Sequence, residues 1–143
     1  MRDIPIPNTN VLSPRTAVSV GIIRDPQQRI FITRRRQHTE LAGCWEFPGG
    51  KLEAGETPFA ALIRELNEEI GIQVEQAQLL QTLEGVATQQ HLQLNYFLVE
   101  QWQGEPYGRE GQPSAWVDQQ ALQIDSFPPT NAPIIKLLLA DQV

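Results

Sequence analysis

The chain has 143 residues, which is enough for one domain with a sizeable hydrophobic core. Its formal net charge is -6 at pH 7, so its average field repels a polyanion and argues against a stable complex with nucleic acid. A single cysteine, Cys44, excludes an internal disulfide, and the sequence shows neither a secretion signal nor a segment long enough to span a membrane. We therefore expect a cytoplasmic protein without a membrane partner, and a monomer because no extra dimerisation segment is evident.

The first elements are an arm, two strands and a bend. Residues 1–15 contain three prolines and several turn formers, which predicts an arm ahead of a single domain over 16–143. Two apolar, β-branched runs follow at 17–24 and 29–36, and the turn-prone segment DPQQ between them predicts a β-hairpin. The segment WEFPGG at 45–50 contains a proline and two glycines, which predicts a sharp bend.

The strongest helix signal covers residues 57–70. Thr57 is a suitable N-cap, Pro58 suits the first turn, and Gly71 lies just beyond the predicted end. The apolar residues of this segment recur at spacings of three and four, which predicts one buried stripe. They are Phe59, Leu62, Ile63, Leu66 and Ile70.

The second half of the chain contains mostly strands. We expect strands at 74–85 and 91–102, a loop rich in glycine and proline at 103–113, and a short strand at 114–117. Residues 131–142 predict a closing helix. Strands on both sides of one helix, with a second helix at the end, predict a mixed α/β domain.

Three glutamates lie close together in the predicted helix at 57–70. At about 100° of rotation per residue, Glu68 and Glu69 project on the same side as Glu65. Their mutual repulsion is unfavourable, the helix dipole disfavours anions in this half, and Arg64 is the nearest cation. Two interpretations fit the pattern. One is a solvated acidic face, and the other is a site for Mg²⁺ or Mn²⁺, which bind carboxylate oxygens.

A longer pattern surrounds these carboxylates. Residues 50–72, GKLEAGETPFAALIRELNEEIGI, read G, five residues, E, seven residues, R-E, an aliphatic, any residue, E-E, any residue, G and an aliphatic. The pattern is highly specific, and through it the chain resembles the Nudix hydrolase family. The resemblance implies an α/β fold, namely a Nudix-type α/β/α sandwich with a mixed central sheet. It also implies metal-dependent hydrolysis of a nucleoside diphosphate linked to another moiety.

The resemblance also assigns roles to individual residues. The implied cofactor is Mg²⁺, with Mn²⁺ as a substitute. Its implied ligands are the carbonyl of Gly49 and the carboxylates of Glu65, Glu68, Glu69 and Glu110, with Glu105 as an alternative to Glu110. The implied catalytic residues are Glu65, which also serves as a base, Arg64, which orients the carboxylates, and Glu56, which supports them or is itself the base.

Segments outside the motif resemble the branch of the family that hydrolyses 8-oxo-dGTP to 8-oxo-dGMP and pyrophosphate, and so removes an oxidised nucleotide from the pool. They are VGIIRDPQQRIFITRRR, WEFPGGKLEAGET, QGEPYGREGQP and FPPTNAPII. The implied partner is thus a small-molecule nucleotide. By position, the resemblance implies that Arg35 contacts phosphate, Phe47 lines the base pocket and Asn131 reads the base edge.

Ordinary structural roles compete with these assignments. Arg35 fits a solvated strand end, Phe47 fits core packing, and Asn131 fits a helix N-cap. The segment EGVATQQ at 84–90 departs from the family pattern, because it is small and polar where that pattern has an aromatic. The alternative substrates are modified cytosine nucleotides or another nucleoside diphosphate derivative. A nucleotide-binding module without catalysis is the alternative from a different functional class.

Overall fold

A computed structural model describes residues 15–35, 43–87 and 90–143. The N-terminal arm predicted at 1–15 lies outside the described residues, apart from Arg15. The strands are β1 Thr16–Ile23, β2 Arg29–Arg34, β3 Trp45–Glu46, β4 Gly49–Lys51, β5 Gln73–Ala87, β6 Gln90–Gln103 and β7 Ser114–Asp118. The helices are α1 Pro58–Ile70 and α2 Ala132–Leu139, and short 3-10 turns connect β7 to α2. The predicted helices and later strands are confirmed, although β5 and β6 are longer and α2 is shorter than expected.

The strands form two sheets. The larger sheet has the order β4-β1-β6-β5, and it is mixed because β1 is parallel to β6 while the other pairs are antiparallel. The smaller sheet has the order β3-β2-β7 and is antiparallel. The bend predicted at 45–50 is where the chain passes from β3 in the smaller sheet to β4 in the larger one.

The predicted hairpin between the first two strands is wrong. β1 lies between β4 and β6, whereas β2 pairs with β3 and β7, and an isolated bridge between Arg24 and Ile30 joins the two runs. Residues 20–23 of β1 are all buried, so this strand requires cover on both faces and partners along both edges. The connection between the strands is still tight, because the Asp25 carboxylate accepts hydrogen bonds from the backbone N–H groups of Gln27 and Arg29 at 3.0 and 2.8 Å.

One helix covers each face of the larger sheet. Leu62 and Leu66 of α1 pack with Phe97 and Val99 of β6, and Ile134 and other residues of α2 pack into a separate core. This second core contains Val20, Tyr96 and Phe47, among others. The arrangement is the α/β/α sandwich with a mixed central sheet that the sequence predicts. Within the described part of the chain, neither helix is long and apolar enough to cross a bilayer.

Local sequence signals determine both ends of α1. The Thr57 side chain accepts a hydrogen bond from the Ala60 N–H at 3.1 Å, and Gly71 ends the helix in the left-handed conformation with φ of 73°. Leu62, Leu66 and Ile70 are fully buried, as the stripe predicts. Phe59 is an exception at 39% exposure, because it lies in the first turn, where its ring meets Phe97 with the ring centroids 6.3 Å apart.

Candidate active site

Arg64 connects the loop before α1 to the acidic side of the helix. Its Nε and Nη2 atoms donate to the two carboxylate oxygens of Glu56 at 2.7 and 2.9 Å. Its Nη1 donates to Glu65 at 3.0 Å and to Glu68 at 3.3 Å, and its Nη2 also donates to the Lys51 carbonyl at 3.0 Å. The hydrogen bonds from Arg64 lower the pKa of Glu56 to about 2, and those bonds also raise the pKa of the guanidinium. Arg64 therefore fixes the position of α1 relative to the glycine-rich loop.

Glu65 and Glu69 form the inner part of the carboxylate cluster. The Glu65 carboxylate lies directly against Gly50 of β4, where a Cβ atom would overlap it, so this position of the motif requires glycine. Glu69 accepts a long hydrogen bond of 3.4 Å from the Gly49 N–H. Burial, followed by the hydrogen bond and the charge of Glu65, raises the pKa of Glu69 far above its usual value. A cation beside the Glu69 carboxyl would favour its ionised form.

Glu46 is a third acidic group near this pair, and the sequence interpretation missed it. It pairs with Arg35 at 2.8 Å, and each side chain is about one third exposed. Burial raises the pKa of Glu46 despite the opposing effect of Arg35, and the Glu46 charge contributes to the raised pKa of Glu69. Arg35, which the resemblance assigns to phosphate contact, therefore lies next to the acidic cluster and is not a fully solvated strand end.

The loop between β6 and β7 covers the C-terminal end of α1. The backbone N–H groups of Tyr107 and Arg109 donate to the carbonyls of Ile70 and Glu69, each at 3.1 Å. The Arg109 side chain donates to the Asn67 carbonyl at 2.9 Å, and the Gln112 side chain donates to the Glu69 carbonyl at 3.1 Å. These bonds satisfy backbone carbonyls of the last turn, which have no hydrogen-bond partner within the helix. They also hold the intervening Glu110 beside the turn that carries Glu68 and Glu69.

The donor set suits a hard divalent cation. In the described ranges 15–35, 43–87 and 90–143, no three His, Cys, Asp or Glu side chains are grouped so as to hold a metal ion. The inner pair Glu65 and Glu69 nevertheless brings carboxyl oxygens together in a half-buried position, with Glu68 on the adjacent surface 55% exposed. Carboxylate and carbonyl oxygens are the ligands that Mg²⁺ and Mn²⁺ prefer, and a cation would remove the repulsion within the pair. The inner pair therefore supplies two of the oxygen ligands that the motif implies for a metal.

Asn131 lies on the other face of the larger sheet, where its side chain meets β6. The Tyr96 hydroxyl donates to the Asn131 Oδ1 atom at 2.6 Å, and both residues are buried. Asn131 immediately precedes α2, but its side chain makes no capping hydrogen bond, so the alternative role as a helix cap is wrong. A cavity of about 150 Å³ includes Thr130, the chain neighbour of Asn131, but neither Asn131 nor Tyr96 lines it. It is lined by Leu83, Glu84, Gly85, Leu94, Pro129, Thr130 and Pro133.

Phe47 belongs to the same core as Tyr96. Its ring is 5% exposed and stacks on Phe127 with centroids 4.9 Å apart, which agrees with the packing alternative for this position. The segment that departs from the family pattern supplies Glu84 and Gly85 to the cavity, while Val86 is 61% exposed. Neither of the two residues that this segment contributes to the cavity is aromatic.

The register of the larger sheet determines how the acidic cluster is placed relative to Tyr96 and Asn131. Val20 of β1 lies opposite Gly49 of β4 on one side and opposite Tyr96 of β6 on the other. The adjacent row places Ser19 opposite Gly50, and these residues face α1 because successive strand residues point to opposite faces. The glycines beside the carboxylates and the tyrosine beside Asn131 are therefore held at one level of the sheet by a single buried strand.

A mixed sheet between two helices, with an arginine-anchored carboxylate cluster on one helix, is the class of structure that the NUDIX domain describes. The family model for that domain matches residues 13–138, and the chain belongs to the Nudix family. Nudix hydrolases generally use a divalent metal.

Individual relatives agree with this assignment. The chain is 48% identical over 121 residues to the 8-oxo-dGTP diphosphatase of Escherichia coli, an alignment that covers 85% of this chain and 94% of the relative. A solved structure from work on MutT of Aliivibrio salmonicida and Vibrio cholerae has 40% identity and a TM-score of 0.79, and covers 90% of this chain and 99% of its own. The CTP pyrophosphohydrolase of Escherichia coli is less similar, at 29% identity over 122 residues, or 85% of this chain and 90% of the relative.

Proposed function

We propose that this protein hydrolyses 8-oxo-dGTP to 8-oxo-dGMP and pyrophosphate in the presence of Mg²⁺, with Mn²⁺ as a substitute. The observation that carries the chemistry is the half-buried pair of Glu65 and Glu69, of which Glu65 lies against β4 and is anchored through Arg64. The substrate is inferred from the high identity to an 8-oxo-dGTP diphosphatase along most of both chains. The net charge of -6 supports a free nucleotide over a nucleic acid as the substrate, and we propose that the protein acts as a cytoplasmic monomer.

The metal ligands that we propose are Gly49 through its carbonyl and the carboxylates of Glu65, Glu68, Glu69 and Glu110. A divalent cation bound there would neutralise phosphate oxygens and lower the pKa of bound water. The contribution of the protein is to hold the anionic oxygens together before substrate arrives. The Gly49 N–H helps to do so through its hydrogen bond to Glu69.

The proton transfer that we propose is assigned to Glu65. Its carboxylate is held from one side by Arg64 at 3.0 Å and from the other by the Gly50 backbone, so its position is defined without substrate. Glu56 is a poor base, because its hydrogen bonds to Arg64 keep its pKa at about 2. We therefore assign Glu56 and Arg64 to positioning the catalytic carboxylate.

The nucleotide contacts that we propose are Arg35 for phosphate, Phe47 for the wall of the base site and Asn131 for the base edge. Arg35 carries its charge next to the acidic cluster, where the phosphate chain must lie for hydrolysis. Asn131 presents an amide, which can donate and accept at once and can therefore match a base edge.

The test is a comparison of kcat/KM for 8-oxo-dGTP, dGTP, 5-hydroxy-dCTP, CTP and ADP-ribose, each with Mg²⁺ and with EDTA. We expect 8-oxo-dGTP to be preferred over dGTP and all turnover to stop when the metal is removed. Equal turnover of 8-oxo-dGTP and dGTP would overturn the substrate assignment, and a preference for the cytosine nucleotides would replace it. Full activity in EDTA would overturn the metal-dependent chemistry.

A further inference from the structure

The contact between Tyr96 and Asn131 is short and enclosed. The donor is the phenol, the acceptor is the amide oxygen, the distance is 2.6 Å, and Tyr96 is fully buried while Asn131 is 9% exposed. Burial raises the pKa of the phenol well above its usual value, so the hydroxyl keeps its proton at any physiological pH. Such a buried hydrogen bond fixes the orientation of both groups.

The bond occupies only part of the hydrogen-bonding capacity of Asn131. A carbonyl oxygen has two lone pairs, and the amide nitrogen carries two N–H groups. Tyr96 uses one lone pair of Oδ1, and the Asn131 backbone N–H is already bonded to the Pro128 carbonyl at 2.9 Å. One lone pair of Oδ1 and the Nδ2 donors therefore remain for a ligand.

We propose that Tyr96 is a positioning residue for substrate selection, which holds the Asn131 amide in the one orientation that distinguishes an oxidised from an unmodified guanine. This inference rests on the proposed function. Tyr96 itself does not touch the reacting atoms. It acts through Asn131.

The difference between the two bases is at N7. 8-oxo-guanine carries a hydrogen on N7, whereas guanine has a lone pair there, and both have an acceptor at O6. With Oδ1 held by Tyr96, the second lone pair of Oδ1 accepts the N7–H of the oxidised base while Nδ2 donates to O6. Guanine would bring the N7 lone pair against the same oxygen, which is repulsive.

An Asn side chain could avoid this repulsion by exchanging its oxygen and nitrogen, because the two ends of an amide have the same shape. In this protein the exchange would place Nδ2 against the Tyr96 hydroxyl. The hydroxyl would then have to donate to the Thr130 carbonyl, which lies 3.4 Å away and gives a poorer bond than the present one. The exchanged orientation is therefore disfavoured, and dGTP is rejected.

The experiment measures kcat and KM for 8-oxo-dGTP and dGTP in the wild type, Tyr96→Phe, Asn131→Ala and the double variant. The quantity compared is the ratio of kcat/KM for 8-oxo-dGTP to kcat/KM for dGTP. We expect Tyr96→Phe to lower this ratio by about tenfold, which corresponds to the loss of one hydrogen bond. The change should appear mainly in KM, while kcat is retained. In the Asn131→Ala background, Tyr96→Phe should change the ratio no further, because the two residues act together. Tyr107→Phe is the matched control, because it removes the hydroxyl of an exposed tyrosine and should leave the ratio unchanged.

A second measurement needs no variant. If a fixed Oδ1 repels the N7 lone pair, the wild type should bind 7-deaza-dGTP, which lacks that lone pair, more tightly than dGTP. Equal affinities for these two nucleotides would overturn the proposal, as would a folded Tyr96→Phe protein whose ratio matches the wild type. An equal loss for both substrates, accompanied by a lower Tm, would assign Tyr96 a purely structural role and would also overturn it. A wild type without preference for 8-oxo-dGTP would instead overturn the proposed function itself.

Discussion

Arg64 and Glu56 are joined at two points, from Nε to Oε2 at 2.7 Å and from Nη2 to Oε1 at 2.9 Å. The fork of the guanidinium matches the two oxygens of the carboxylate, and its third nitrogen remains available for Glu65 at 3.0 Å. A loop residue eight positions earlier therefore determines where the carboxylate at the centre of the cluster is held.

Arg64→Lys should show that this geometry, and not the charge alone, is required. Lysine keeps the positive charge but offers a single ammonium, which cannot bridge Glu56 and Glu65 at the same time. We expect kcat/KM for 8-oxo-dGTP to fall by about 10- to 100-fold, the usual effect of losing a residue that orients a metal ligand. The Tm should change less than the activity, because the lysine keeps a positive charge beside Glu56. Arg29→Lys, which alters an arginine paired with Asp25 at 2.7 Å outside the cluster, is the control, and equal losses in both variants would contradict the prediction.

Gly50→Ala should damage the site more than the fold. The added methyl group would overlap the Glu65 carboxylate, which must then move away from β4. A displacement of about 1 Å at a catalytic group can reduce turnover by about 100-fold, so we expect a loss of that order in kcat. Gly55→Ala is the informative comparison. It meets nothing within 4 Å but has a φ of 82°, so it should lower the Tm through backbone strain while turnover of the folded protein is retained. Similar kcat values for the two variants would refute the role of Gly50.

Glu68→Gln should weaken metal binding at the site without changing its shape. A unit charge about 4 Å from another contributes about 1 kcal/mol in water and more near a protein surface, so the Mg²⁺ concentration for half-maximal activity should rise by at least about tenfold. Saturating Mg²⁺ should restore part of the activity. Glu75→Gln removes an exposed carboxylate near the beginning of β5, which accepts a hydrogen bond from Gln103 at 2.7 Å, and it should leave the Mg²⁺ dependence unchanged. If the two titrations coincide, Glu68 is not a ligand.

The sequence predicts α1 well because its determinants are local. The cap at Thr57, the glycine at the end and the spacing of the apolar residues all lie within the helix or next to it, and the same spacing places the carboxylates on one side. The pairing of β1 could not be derived in this way. Two neighbouring apolar runs with a turn between them suggest a hairpin. However, β1 is a buried strand that pairs along its edges with β4 and β6, and both of these come later in the chain.

The parts of the site that the sequence could not supply depend on distant contacts. Glu46 lies opposite Thr33 only because β3 pairs with β2, and its place next to Glu69 requires the two sheets to meet. Tyr96 and Asn131 are 35 positions apart and meet only after α2 packs on β6. In the sequence Tyr96 is one more residue of a strand, and Asn131 is a suitable cap. Only the folded protein shows that its side chain contacts Tyr96 instead of capping the helix.

The ion pair of Glu56 should also govern stability in acid. The pKa of this carboxyl is about 2 in the folded protein, below its ordinary value of 4.5, so its ionised form stabilises the fold. That contribution is complete above about pH 4.5 and is lost as the pH falls towards 2. Glu56→Gln cannot ionise, so it should be less stable than the wild type at pH 6 and should approach the wild type at pH 3. The measurement is the midpoint of urea unfolding for both proteins across this range, repeated at 1 M NaCl, where screening should reduce the difference at pH 6. A difference that stays constant from pH 6 to pH 3 would show that the charge of Glu56 does not stabilise the fold and that its side chain acts through packing alone.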